Sequence, residues 1–170
     1  GKILFNTQQE NQIWAEVENL PTSGCLTSMK IFQHVGNFRD DFFIDYVDTD
    51  YCLRLRDKGY RVIISPQVGM KHPLGYYKPN KCYNFLFKRR MVTNYPPIRH
   101  YYWTRNGLTL VGERLSKSLK WSLREVYYLL IRRLVTVLLF EDKKILKIKY
   151  IIIAIFDASL SRRNKKRGLI

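Results

Sequence analysis

The sequence has little of what marks several common protein classes. It contains three cysteines, Cys25, Cys52 and Cys82, and no Cys-x-x-Cys pair. This excludes a disulfide framework or a zinc site of the usual spacing, and reduced thiols are expected. No apolar stretch reaches the roughly 20 uninterrupted residues of a membrane-spanning helix. The first residues have no apolar segment typical of a signal peptide. A cytoplasmic protein is therefore expected.

Acidic residues are scarce in the second half of the chain. Residues 81–170 contain 21 Lys or Arg but only 5 Asp or Glu, so this half alone carries the net charge of +16. Residues 1–80 contain equal numbers of basic and acidic side chains. A basic block of this kind indicates an anionic partner, which is nucleic acid, lipid headgroups or a phosphorylated substrate.

The hydrophobic periodicity divides the chain at about residue 80. Before this point, strands and helices alternate, and the glycines Gly36 and Gly59 end the two helices. After it come an aromatic, basic linker and three helices, the first of which is opened by Pro96 and Pro97. The predicted class is α/β for residues 1–80, followed by a basic, mostly helical extension at 81–170. The predicted strands are 2–6, 12–18 and 61–66, the linker is 81–95, and the helices are 28–36, 48–58, 96–115, 118–140 and 142–161. Ser28 is expected to cap the first helix.

An acidic cluster holds the best candidates for catalysis. Five carboxylates lie within a short stretch and alternate with large apolar side chains, so the stretch is expected to contact a core. One interpretation is an exposed acidic loop followed by carboxylates that a helix dipole favours. The other is a set of catalytic carboxylates beside a cleft. The acids are Asp40, Asp41, Asp45, Asp48 and Asp50.

Residues 23–75 contain several spaced motifs. They are Ser23-Gly24 before a short helix, Val35-Gly36-Asn37-Phe38, the run FFIDYVDTDYCLR from Phe42 to Arg54, Gly59-Tyr60, and His72 after a strand. In this order the motifs resemble the second half of a family 2 glycosyltransferase of the glycosyltransferase A fold, and most closely its rhamnosyltransferase branch. The fold expected for residues 1–80 is therefore the acceptor-side half of that fold.

The resemblance implies roles for single residues. Asp48 corresponds to the base that deprotonates the acceptor hydroxyl in an inverting transfer. Asp45 and Asp50 are expected to support it or to orient the acceptor, together with Ser23 and Gly24. The triplet Asp48-Thr49-Asp50 also spells the DxD pattern of metal sites. We do not interpret it so, because in the family that motif ends an earlier strand, whereas this triplet begins a helix.

The resemblance also implies a donor, a metal and a missing part. His72 is expected to be one ligand of a divalent Mn or Mg ion, whose other ligands belong to the family's amino-terminal, donor-binding half. That half is not recognisable here, so the chain is expected to be an inactive fragment. The implied donor is a nucleoside diphosphate sugar, dTDP-L-rhamnose. The implied acceptor is a glycan or lipid-linked chain of a cell-surface polysaccharide such as O-antigen. Arg105-Asn106 also resembles a recurring element of the branch, although a solvated helix face is the simpler interpretation.

The basic helices leave several interpretations open. The first is an anionic membrane surface on the cytoplasmic side, which would attract the lysines and arginines and bury apolar side chains. The second is a packed hairpin or a homodimer through these helices. Nucleic acid is disfavoured, because no helix-turn-helix, zinc or RNA-recognition motif is present. A third is a non-catalytic basic module that binds membrane or nucleic acid. The expected lipid contacts are Lys143, Lys144, Lys147, Lys149, Arg162–Arg167, Trp121, Leu129, Leu130, Ile151, Ile152 and Ile153.

Overall fold

The computed structural model describes residues 14–65, 67, 69, 77–79, 85 and 91–166. The chain forms two compact units. The first unit comprises Gly1–Asp41 and Tyr46–Leu74, and the second, here called the helical unit, comprises Phe42–Asp45 and Gly75–Ile170. The functional division predicted at residue 80 stays a prediction. The predicted strand 2–6 and Cys82 lie outside the described residues.

The first unit contains two helices and a short antiparallel strand pair. Helix α1 spans Met29–Val35 and helix α2 spans Val47–Asp57, which confirms both predicted helices. Strand β1, Ala15–Glu16, pairs with strand β2, Ile63–Ile64. Among the described residues of the predicted strands 12–18 and 61–66, only two in each form the ladder. The predicted capping role of Ser28 is wrong in detail, since its side chain makes no capping hydrogen bond.

Aromatic side chains connect the two helices of the first unit. The rings of Phe38 and Tyr51 lie 4.6 Å apart, and those of Phe32 and Phe38 lie 5.7 Å apart at an edge-to-face angle. Such pairs stabilise a small core beyond the area that they bury. Because Tyr51 belongs to α2 and Phe32 to α1, this cluster fixes the helix that carries the acidic residues.

Beyond Phe42–Asp45, the helical unit contains a strand pair followed by helices. Strand β3, Tyr77–Pro79, pairs with β4, Met91–Thr93, so the predicted linker 81–95 ends in a strand. Helix α3, Pro97–Arg114, begins at Pro97 as predicted. Helix α4, Leu119–Val126, continues through a π-helical segment, Tyr127–Arg132, into helix α5, Arg133–Phe140. Helix α6 spans Lys144–Lys166. None of the helices in the described ranges is both long and apolar enough to cross a membrane.

Helix α3 packs along α6, and their contact forms most of the core of the helical unit. Leu110 on α3 and Ile151 and Ala154 on α6 are almost completely buried. Leu129 of the π-helical segment and Val137 of α5 are buried as well. The predicted lipid contacts of Leu129 and Ile151 are therefore wrong, because both side chains are only 1% exposed and pack inside the unit.

A buried polar network lies inside the core of the helical unit. The Lys147 ammonium donates hydrogen bonds to Glu141 Oε2 at 2.7 Å and to Asn94 Oδ1 at 2.5 Å. His100 Nε2 lies 3.1 Å from the same Glu141 oxygen, and Arg133 Nε donates to His100 Nδ1 at 3.2 Å. Lys147 is 1% exposed, so its predicted role as a lipid-facing cation is wrong. A buried ammonium needs a charged partner, and Glu141 supplies it.

The hydrogen-bond pattern of this network defines the protonation of its members. His100 accepts from Arg133 at Nδ1 and therefore donates from Nε2 to Glu141, which is the neutral imidazole. Burial lowers the pKa of His100, against an opposing hydrogen bond to Glu141. Burial favours the protonated form of Glu141, but hydrogen bonds from His100 and Lys147 outweigh it and lower the pKa of that carboxyl. The network is thus a carboxylate held between a neutral imidazole and an ammonium.

Candidate functional site

Asp48 lies in the first turn of α2 and is half-buried. Its Oδ1 accepts a hydrogen bond of 3.2 Å from the backbone N–H of Thr22. Thr22 is the first residue of a turn, in which the Cys25 N–H donates a hydrogen bond to the Thr22 carbonyl. Gly24 lies in this turn and has a φ of 77°. The turn that contains Ser23 and Gly24 is therefore brought to the Asp48 carboxylate. Within the described residues, no group donates a hydrogen bond to Asp48 Oδ2, so one oxygen is held and the other is open.

Further contacts tie this turn to α2. Asn19 Nδ2 donates to Thr49 Oγ1 at 2.9 Å, on the residue next to Asp48. The Cys52 thiol lies 3.8 Å from the Leu20 carbonyl. Burial, more than the nearby Asp48 carboxylate, raises the pKa of the Cys25 thiol, and burial likewise raises the pKa of Cys52. Both cysteines are free thiols, and a raised pKa makes them poor nucleophiles. These contacts indicate that the cysteines are structural neighbours of Asp48.

Asp50 is buried and holds a neighbouring turn in place. Its Oδ2 accepts from Arg54 Nε at 2.8 Å. The Arg54 guanidinium also donates to the carbonyls of Val35 at 2.9 Å and Asn37 at 2.8 Å. Between them, Gly36 has a φ of 90°, a conformation that favours glycine. Asp50 thus supports the turn that follows α1, and its predicted part in orienting an acceptor stays a prediction.

Asp45 belongs to the helical unit and makes a two-point ion pair. Its carboxylate accepts from Arg99 Nε at 3.1 Å and from Arg99 Nη2 at 3.0 Å. Asp45 and the following Tyr46 have φ values of 62° and 66°, so two successive residues without glycine's freedom adopt the left-handed conformation. Each such residue costs about 1–3 kcal/mol and persists only where surrounding contacts enforce it. Val47, the first residue of α2, follows directly.

Asn106 supplies the contacts that enforce this conformation, and its role was not predicted. It is fully buried, and its Nδ2 donates to the carbonyls of Ile44 at 2.9 Å and Asp45 at 3.0 Å. Its Oδ1 accepts from Arg105 Nε at 2.9 Å. The interpretation of Arg105-Asn106 as a solvated helix face is therefore wrong for Asn106. The resemblance of this pair to a recurring element was the available signal, but no sequence pattern identified its partners.

Replacing Asn106 by alanine is expected to destabilise the helical unit by about 1–3 kcal/mol, because the carbonyls of Ile44 and Asp45 lose the amide that donates to them. Urea unfolding followed by tryptophan fluorescence measures the loss, since Trp103 lies on the same helix. Asn37→Ala is the matched control: that side chain is exposed, and the change should stay within about 0.5 kcal/mol. Equal effects of the two substitutions would contradict the assigned role of Asn106.

The histidines occupy different places. His34 Nδ1 lies 2.9 Å from the Tyr60 hydroxyl, and His100 belongs to the buried network, so both have structural partners. His72, the predicted metal ligand, lies outside the described residues. Within the described ranges, no three His, Cys, Asp or Glu side chains are grouped so that they could hold a metal ion. The metal site stays a prediction.

Comparison with known proteins gives one informative relationship. No protein-family model matches the chain, and no solved structure matches it. The chain is similar to dTDP-rhamnosyl transferase RfbF of Shigella flexneri, with 34% identity over 110 residues. The matched region is 65% of this chain and 35% of that protein, so the chain spans about a third of the length of the relative. The chain is therefore related in sequence to a rhamnosyltransferase.

Proposed function

We propose that this chain is the acceptor side of an inverting glycosyltransferase of family 2, with the glycosyltransferase A fold. The proposed reaction moves a hexose, L-rhamnose, from dTDP-L-rhamnose to a growing, lipid-linked cell-surface polysaccharide. The observation that carries the proposal is the 34% identity to a dTDP-rhamnosyl transferase. The arrangement around Asp48 is consistent with it, since a carboxylate with one held and one open oxygen can serve as a base.

Asp48 is the proposed general base. Its open Oδ2 accepts the proton of the acceptor hydroxyl as the hydroxyl oxygen attacks the anomeric carbon of the donor. The bond from that carbon to the β-phosphate oxygen breaks on the opposite face, so the configuration inverts and dTDP leaves. The contact of Oδ1 with the Thr22 N–H fixes the carboxylate orientation. A fixed base is effective because little reorganisation is needed at the moment of reaction.

The remaining predicted residues are proposed to hold this arrangement. Asp50 with Arg54 keeps the turn after α1 in place. Ser23 and Gly24 lie in the turn that contacts Asp48 and are proposed to line the acceptor site. The proposed cofactor is a divalent Mn or Mg ion, which would neutralise the diphosphate of the leaving group. His72 is its proposed ligand from this chain. The other ligands are proposed to lie outside the chain, in a part that corresponds to the unmatched region of the longer relative.

The stereochemical course tests the reaction type. The complete enzyme, incubated with dTDP-L-rhamnose, manganese and a glycan acceptor, should release dTDP and form a rhamnoside of inverted anomeric configuration. Nuclear magnetic resonance of the anomeric proton and carbon distinguishes inversion from retention. A retained configuration would contradict the role of Asp48 as a base, and absence of any transfer from sugar nucleotides would contradict the proposed class.

The 170-residue chain by itself is expected to bind no sugar nucleotide specifically, because the donor site is proposed to lie outside it. Isothermal titration calorimetry with dTDP-L-rhamnose and manganese should show no saturable heat. The complete enzyme under the same conditions is the positive control. A dissociation constant in the micromolar range for the 170-residue chain would contradict the proposed division between donor and acceptor sides.

A further inference from the structure

Helix α6 is apolar on two opposite faces. One face packs against the core through Ile151, Ala154 and Ala158. The other face is exposed and carries large apolar side chains, of which Ile145 is 87% and Phe156 65% exposed. Counted at about 100° per residue, the exposed large apolar side chains fall within an arc of about 120°, with Lys149 near its centre. A helix that packs by one face ordinarily has polar residues on the other. The exposed arc comprises Ile145, Leu146, Lys149, Ile152, Ile153, Phe156 and Leu160.

The preceding helical segment adds a second set of exposed apolar side chains. Leu119, Leu123, Tyr127 and Ile131 recur every four residues along α4 and the π-helical segment, and all are about half exposed. Leu138 and Leu139 on α5 are exposed as well, and α5 contacts α6. Exposed apolar side chains in such numbers mark a surface that a partner covers.

The charges beside these side chains indicate what kind of partner would bind. The first turns of α4 and α6 contain lysine and no acid, although the positive end of a helix dipole disfavours cations there. Lys143, before α6, is exposed and has a φ of 52°. Lys144 and Lys149 are exposed too. An external anion beside them would offset the unfavourable placement.

The acids of this region are engaged in hydrogen bonds. Asp157, the only acid in the sequence of α6, accepts a hydrogen bond of 2.7 Å from the Tyr101 hydroxyl. Glu141 is buried with Lys147, and Asp142 accepts from Asn94 at 2.7 Å. The exposed arc of α6 therefore contains a lysine and no carboxylate.

We propose that the exposed arc of α6, with the exposed leucines of α5, docks on an anionic lipid surface. An anionic lipid surface fits both the apolar and the basic side chains. Acyl chains would contact the isoleucines and the phenylalanine, and headgroup phosphates would attract the lysines. A second copy of the chain fits less well, because a two-fold contact would bring the same lysines face to face. Nucleic acid would use the cations but not the aliphatic side chains. The inference does not depend on the proposed catalytic role of Asp48.

Cosedimentation with vesicles tests the proposal in the 170-residue chain and in the complete enzyme. Both should bind phosphatidylglycerol-containing vesicles and bind phosphatidylcholine vesicles much less. Lys144→Gln/Lys149→Gln should weaken binding roughly fivefold per lysine at low salt and little in 1 M salt, where charges are screened within about 3 Å. Ile152→Ser/Phe156→Ser should weaken it about tenfold or more at either salt concentration.

The controls separate this surface from general charge and from folding. Lys30→Gln/Lys58→Gln removes two exposed charges of the first unit and should leave vesicle binding nearly unchanged. Circular dichroism should show unchanged helix content in every variant, since each altered side chain is exposed.

Three results would overturn the proposal. The first is that the protein binds neither kind of vesicle. The second is a dimer that Phe156→Ser dissociates. The third is binding by the 170-residue chain but not by the complete enzyme, because another segment would then cover this face.

Discussion

Replacing Asp48 by asparagine in the complete enzyme is expected to lower kcat by about 10²–10⁴-fold while donor affinity is preserved. The asparagine side chain has nearly the same shape and can still accept the Thr22 hydrogen bond at Oδ1. It cannot take a proton from the acceptor hydroxyl. Initial rates of dTDP release give kcat, and calorimetry gives the donor affinity. The loss should therefore appear in turnover and not in folding.

Two comparisons distinguish a base from a carboxylate that merely stabilises the helix start. A helix-start role predicts a loss of stability of up to about 1 kcal/mol with little loss of turnover. Asp40→Asn changes a nearby exposed carboxylate and should leave kcat within about twofold, because surface substitutions rarely propagate. Near-normal turnover of the Asp48 variant, or an equal loss in both variants, would rule out the assignment.

Replacing Glu141 by glutamine is expected to destabilise the helical unit by about 3–5 kcal/mol, because the buried Lys147 ammonium loses its counterion. Glutamine keeps the length and an acceptor oxygen, so the change reports mainly the lost charge. Lys147 Nζ would retain the Asn94 Oδ1 contact of 2.5 Å, which is a neutral partner. Urea unfolding followed by tryptophan fluorescence measures the change, since Arg133 of the same network stacks 3.8 Å from the Trp103 ring.

The double variant Glu141→Gln/Lys147→Met is the internal test of this explanation. It removes the buried ammonium together with its partner, so it should be more stable than the Glu141→Gln variant by about 1–3 kcal/mol. The same comparison bears on the membrane inference, because Lys147 is buried and its loss should leave vesicle binding unchanged. A double variant that is less stable than the single one would show that the pair is not the source of the effect.

The helices were predictable because their signals are local. Pro96 and Pro97 define the start of α3, and Gly36 and Gly59 follow α1 and α2 within two residues. A cap, a breaker and a 3.6-residue period lie within one stretch of chain, so no distant contact is needed to recognise them. The strand lengths were predicted wrongly because strand pairing is not local. Ala15 pairs with Ile64, and the length of such a ladder depends on a partner far along the chain.

The charge asymmetry, the helices and the candidate base could be predicted from the order of the residues. The motif around Asp48 resembles a known family, and the charge of +16 lies wholly after residue 80. Which polar residues of a helix face inward depends instead on the packing of the folded chain. Lys147 and Lys149 are two positions apart, yet one is buried on Glu141 and the other is exposed. Asn106 likewise acquires its role from the carbonyls of residues 61 and 62 positions earlier in the chain. Burial of a polar group depends on whether a partner meets it in space, and the folded chain provides that partner.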